Sequence, residues 1–147
     1  MKTKELIGSE VAATIEQQIP GAVVESADGC IVVERMSIAA VMRFLKTADD
    51  FDFSYLNNLT AVDNLDHFEV IYHLTSFAHK HMLCVKTRVD GRENLEVPSV
   101  TSVWQGADFQ EREVYDLLGI RFAGHPNLKR IALWDGFEGH PLRKDFL

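Results

Sequence analysis

At 147 residues the chain fits one domain, long enough to bury about 70% of the surface it exposes when unfolded. Its hydrophobic content of 46% and charged content of 25% are those of a globular protein. A formal charge of −7 excludes a general nucleic-acid or anionic-membrane binder, because both need a basic surface. Along the chain, Ile7, Val11, Ile15 and Ile19 recur at helical spacing, and the helix they predict ends before Pro20-Gly21. Ala22 to Glu25 and Cys30 to Glu34 read as short strands joined by a hairpin turn at Asp28-Gly29. Ser37 is placed to cap a second helix, whose Ile38, Val41, Met42 and Leu45 share one face. Three longer strands follow. Ser54 to Val62 is the first, although it contains the weak strand formers Asn57-Asn58. His67 to Thr75 puts Phe68, Val70, Tyr72 and Leu74 on one face. His81 to Val89 does the same with Leu83, Val85, Thr87 and Val89. Asp90-Gly91 ends that strand, and Arg92 to Pro98 reads as a loop.

The last forty residues differ in texture. Asp108 is placed to cap a helix, with Glu111 at capping-box spacing and Glu113 a second early acid. Val114, Leu117 and Leu118 give that helix an apolar face, and Gly119 stands where a left-handed C-terminal residue is cheap. Ile120 and Phe122 flank Arg121 in a short extended piece. After Gly124 no period persists, and Pro126 and Pro141 fit neither a helix interior nor a central strand. The fold class expected is α+β in a single domain: an α-β-β-α unit, then a mixed or antiparallel sheet, a helix and an extended C-terminal tail. Residues 1–123 form the expected body, and 124–147 an interaction tail of the same domain.

Little in the chain reads as catalytic machinery. His67, His73, His79 and His81 lie in or beside two adjacent strands, but no carboxylate or thiolate completes a recognised ligand spacing. Cys30 and Cys84 stand 54 positions apart without a Cys-x-x-Cys pair and read as buried reduced thiols, a disulfide being the lesser alternative. Glu111 and Glu113 lie about 200° apart around a helix, so they cannot converge on one substrate atom. Arg112 and Asp116 stand at i,i+4 and can pair. There is no phosphate-binding loop, dinucleotide fingerprint or nucleophile elbow. No apolar run reaches the roughly 20 residues of a membrane span. The N-terminus lacks a signal-peptide core, so membrane association is expected to be indirect. The tail itself is locally basic: Arg121, Lys129, Arg130, Arg143 and Lys144 stand against Asp135, Glu138 and Asp145.

The stretch Glu111-Arg112-Glu113, Asp116-Leu117-Leu118 and His125, followed by Lys129 and Ile131, resembles the signature of the C subunit of proton-pumping NADH–quinone oxidoreductase. This is the 30 kDa subunit family of respiratory complex I, related to small subunits of energy-converting hydrogenases. Ala132 departs from it, falling where a larger apolar residue is usual. Gly139 to Phe146, Leu59 to Asp63 with Phe68 to Leu74, and Val97 to Thr101 before Trp104 also resemble the family, so the likeness runs from about residue 50 to the end.

The resemblance implies a non-catalytic structural and assembly subunit of the peripheral arm, one that holds no cofactor of its own. NADH, FMN, iron–sulfur clusters and quinone would sit on other subunits of the hetero-oligomer. The implied partners are the large quinone-site subunit and its cluster-bearing neighbour, on the cytoplasmic side of the cell membrane. The expected partner interface comprises Glu111, Arg112, Glu113, Asp116, Arg121, Phe122, His125, Arg130, Trp134, Phe137, His140, Arg143, Lys144 and Phe146, with Trp104 and Tyr115 as core fillers. Two alternatives stay open. One is the equivalent subunit of a membrane-bound hydrogenase, or of a relative dependent on ferredoxin or coenzyme F420. The other is a stand-alone ligand-binding protein or enzyme.

Overall fold

Alternation of apolar and polar residues builds the centre of the molecule. In β5 (His67–Ser76), Phe68, Val70, Tyr72 and Leu74 are all fully buried. In β6 (His81–Asp90), Leu83, Val85, Thr87 and Val89 point the same way. These strands pair antiparallel from His67↔Asp90 to Ser76↔His81, and β4 (Tyr55–Asp63) pairs antiparallel with the far side of β5. The computed structural model describes residues 4–131 and 138–144.

The first half of the chain completes this sheet. β2 (Val23–Ala27) and β3 (Cys30–Val33) form the expected hairpin, and β3 runs parallel to β6 from Cys30↔Cys84 to Val33↔Thr87. A two-residue β1 (Lys4–Glu5), which the sequence pattern does not announce, pairs with β6 beyond the end of β3. The resulting mixed sheet has the order β2-β3-β6-β5-β4. Helices α1 (Gly8–Gln18) and α2 (Ile38–Thr47) bury Val11 and Ile15, and Ile38, Val41, Met42 and Leu45, in the same core as the inward sheet residues. Gly8 is where α1 passes closest to the hairpin: a Cβ there would lie 1.9 Å from the Ala27 carbonyl oxygen, so no larger residue fits.

Several local expectations need correction. Ser37 makes no capping bond; a short 3-10 turn over Arg35–Ser37 precedes α2, and the Glu34 carboxylate accepts from the Met36 N–H instead. The strand expected over Ser54 to Val62 does form as β4, with Asn57-Asn58 inside it at a register shift between Leu56 and Asn58, where a bulge absorbs the poor strand formers. Within the expected loop, β7 (Glu96–Pro98) pairs in parallel with β8 (Arg121–Ala123). That two-stranded ladder fixes the entry and exit of α3 (Ala107–Leu118), which lies against β4 with the Gln110 side chain accepting from the Leu59 N–H at 2.6 Å. Capping by Asp108 is also corrected: Gly106 occupies the N-cap and Asp108 lies in the first turn.

Candidate partner-binding site

The signature residues turn first toward the chain's own interior. Three residues along α3 from Asp108, Glu111 is fully buried; it accepts from the Ser99 hydroxyl at 2.6 Å and from the Val100 N–H at 2.8 Å. It therefore pins the segment Val97 to Thr101 to the helix, and does not act as a first-turn acid. Burial pushes its carboxyl above the usual range; the Ser99 and Val100 donors oppose that shift, while Asp108 adds to it. The Tyr72 hydroxyl, also fully buried, has no hydrogen-bond partner among the described residues, and burial followed by the Glu111 charge raises it well above its ordinary value.

Asp116, a little over one turn later, is fully buried and takes the tail in hand. Its carboxylate accepts from Arg130 Nη1 at 2.8 Å and from the Ile131 N–H at 3.1 Å, and its backbone carbonyl accepts from His140 Nδ1 at 2.9 Å. Arg112 donates to the carbonyls of Lys129 and Arg130 at 3.2 and 3.4 Å. His125 is held in one tautomer: its Nδ1 accepts from the Asn127 N–H at 2.9 Å. Its Nε2 therefore carries the proton, 3.2 Å from the Asp108 carbonyl oxygen and 3.0 Å from Oδ1 of the same residue.

The end of the tail is tied down as firmly. The Leu142 N–H donates to the Leu117 carbonyl at 3.0 Å, and Arg143 donates through Nε to Leu118 at 2.6 Å and through Nη1 to the Arg92 carbonyl at 3.1 Å. The guanidiniums of Arg92 and Arg143 stand 4.8 and 5.4 Å from the centre of the Phe68 ring. Asp63 closes the arrangement. It accepts a bidentate pair from Arg92 at 2.5 and 2.8 Å and the Lys144 N–H at 2.9 Å. Arg92 holds its carboxyl far below the usual carboxylate range.

Arg112, Asp116, Arg130, His140 and Arg143 are thus joined along the tail. Glu111 and His125 are tied separately, to Ser99 and Val100 and to Asp108 and Asn127, and Phe122 is core at 2% exposure. Glu113, Arg121 and Lys144 are exposed, with the Arg121 guanidinium 5.8 Å from the Tyr115 ring. Trp134, Phe137 and Phe146 lie outside the described residues. Trp104 is buried and donates to the Phe53 carbonyl at 3.1 Å. Sequence reasoning missed Asp63 and Arg92 as tail anchors and Ser99 as the partner of Glu111, and it missed Phe109, which is 63% exposed beside Arg112. Phe109 borders an open cleft of about 550 Å³ that it shares with Thr101, Asp108, Gly124 and Pro126.

Among the described residues no group of three or more His, Cys, Asp or Glu side chains is placed to hold a metal, and no helix is long and apolar enough to cross a membrane. The rings of His79 and His81 stack 5.3 Å apart, but they spend Nε2 on the Asp49 and Phe51 carbonyls.

Residues 31–147 match the family described as respiratory-chain NADH dehydrogenase, 30 Kd subunit. The chain is 43% identical over 142 residues to the NADH-quinone oxidoreductase C subunit of Roseiflexus castenholzii, covering 92% of this chain and 81% of that one. It is 47% identical over 118 residues to the corresponding C subunit of Moorella thermoacetica, covering 79% of this chain and 78% of that one. A chain of the membrane-bound sulfane sulfur reductase, an archaeal respiratory membrane complex, has the same fold with a TM-score of 0.75 and 26% identity. That match covers 94% of this chain and 84% of that one. With the signature residues accounted for and the match running to the end of the chain, the chain belongs to the family of NADH-quinone oxidoreductase C subunits, the 30 kDa subunit of the respiratory-chain NADH dehydrogenase.

Proposed function

We propose that this chain is a scaffold of the peripheral arm, packing against the large quinone-site subunit and its cluster-bearing neighbour through the face built by α3 and the tail. Residues 1–123 serve as the body, and 124–147 as the interaction tail of the same domain. The observation that carries this reading is the division of labour in the signature. Its buried charges hold the tail in a fixed course, while Phe109, Leu142 and Ile131 remain 63, 60 and 38% exposed along α3 and the tail. Pre-ordering of this kind lowers the entropy lost on association, and an exposed aromatic at the mouth of a cleft suits an interface anchor. Glu113, Arg121 and Lys144 supply the charged rim, and attachment to the cytoplasmic side of the membrane runs through protein contacts.

Co-purification from gently solubilised membranes tests the reading: the tagged chain should bring the quinone-site and cluster-bearing subunits with it, and Phe109→Glu should weaken that association without unfolding the chain. Recovery of the wild-type chain alone would count against it. A second reading, the equivalent place in an assembly with another electron donor, draws support from the likeness to the sulfane sulfur reductase chain. The identity of the co-purified subunits separates the two.

A further inference from the structure

The helices cover one face of the sheet, and on the opposite face two thiols stand side by side. Cys30 and Cys84 are direct partners across the parallel β3–β6 ladder, both half-buried, with their Sγ atoms 3.1 Å apart. Facing residues of neighbouring strands hold their Cα atoms about 5 Å apart, inside the range that a disulfide spans. The backbone therefore already provides the separation, and side-chain rotation alone brings the sulfurs into bonding distance. A cavity of about 320 Å³ opens beside Cys84, bordered by His73, Met82 and Asn58, and admits a small reagent to the pair.

We propose that Cys30 and Cys84 form a redox-sensitive dithiol, which a low-molecular-weight disulfide converts into a cross-link fastening the β2–β3 edge hairpin to the centre of the sheet. One thiolate attacks a sulfur of the reagent, forms a mixed disulfide and releases one small thiolate. The second thiolate attacks the protein sulfur of that mixed disulfide and releases the other. Two protein thiols are oxidised, one small disulfide is reduced to two small thiols, and the protein's two protons end on those products. Burial, and then the hydrogen bond with Cys30, pushes the Cys84 thiol up to about 12, so the exchange is slow at neutral pH and quickens as pH rises. The cross-link joins positions 54 apart in sequence and so restricts the unfolded chain more than the folded one.

The test uses the full-length chain, reduced and then incubated with glutathione disulfide, alkylated under denaturing conditions and weighed intact. The expected product is lighter by two hydrogen atoms, takes no alkyl group and yields a linked Cys30–Cys84 peptide on digestion. Its thermal midpoint should rise by several degrees and fall back when reductant is added. Cys30→Ser and Cys84→Ser should each stop at a glutathione adduct with no such rise. A wild-type chain that keeps two alkylatable thiols, or that carries two glutathione adducts, overturns the proposal whether or not the variants fold. So does a cross-linked chain whose midpoint does not move.

Discussion

Glu111 and Asp116 are buried carboxylates on one helix whose surroundings treat charge in opposite ways. Asp116 has a cation, Arg130, at 2.8 Å, whereas Glu111 is held by the neutral donors of Ser99 and Val100. Removing one partner of a buried pair leaves the other charge uncompensated, so Asp116→Ala should lower stability by about 3 kcal/mol, read as a shift in urea midpoint at unchanged slope. Glu111 behaves otherwise. Its folded carboxyl is raised by burial above the ordinary 4.5, so the folded state binds that proton more tightly than the unfolded state does. The group's contribution to stability is then greatest below its ordinary value and is lost as pH rises through the raised one. Glu111→Gln keeps an acceptor for the Val100 N–H and removes the buried charge. The variant should gain on the wild type as pH climbs from about 4.5 toward neutrality. A difference in urea-unfolding free energy that stays flat with pH would show that Glu111 is not the titrating group. Asp63 opposes this slope. Held low by Arg92, it contributes stability above its ordinary 3.8 that is lost as pH falls toward the folded value.

Elements divide by whether their pairing is written locally. β5 and β6 were legible because one face is buried along their whole length, which forces a period of two into the sequence. The helices α1 and α2 were legible by their buried residues at helical spacing, although Ile7 and Ile19 only flank α1 and Ile7 is 52% exposed. Gly119 was legible for its backbone: φ is +79° and its N–H closes the last turn on Tyr115. Its neighbours were not legible. A Cβ at this position would lie 2.7 Å from both Arg143 Nη2 and His140 Cδ2, atoms of the tail more than twenty residues away. Gly119→Ala should therefore cost about 1–2 kcal/mol for a left-handed alanine and also push Arg143 off the Leu118 carbonyl. The thermal midpoint should drop by more than a surface alanine explains, and limited proteolysis should find the tail more readily cut. β1 and β7 escaped reading because two or three residues carry no period, whereas β8 was legible as a short extended piece around Arg121; all three exist only because distant partners satisfy their backbone groups. The Glu111 capping box failed similarly, since a carboxylate three residues from a candidate cap serves an internal loop equally well.

At the scale of the whole molecule, the tail is bound along its described length to the chain's own body. Its sequence has no period because side-chain and backbone donors, one at a time, hold it to the body: Arg130 and Ile131 to Asp116, Leu142 to Leu117, Arg143 to Leu118, Lys144 to Asp63. Pairings of this kind, up to 81 positions apart, leave no trace in local sequence, so the charges could be recognised as important without revealing whom they meet. Deleting 124–147 strips donors from two buried carboxylates. The apolar core between α1, α2 and the sheet still holds the body together. The truncated chain should fold, with a lower midpoint and without entering the complex. The sharper probe is a pair of neighbouring reversals. Arg143 donates to two backbone carbonyls and lies over Phe68, so Arg143→Glu should destabilise the isolated chain itself. Lys144 is exposed and, among the described residues, is held through its backbone N–H alone, so Lys144→Glu should leave the isolated chain's midpoint unchanged. If Lys144 meets an acid on a partner subunit, its reversal should still release chain from sedimented membranes. The loss would be severalfold or more if that pair is desolvated, where a broken pair costs about 2–5 kcal/mol, and slight if it lies at the rim. Undiminished membrane sedimentation of the Lys144→Glu chain would place this end of the tail outside the interface and shift the docking surface toward Phe109 and the start of α3.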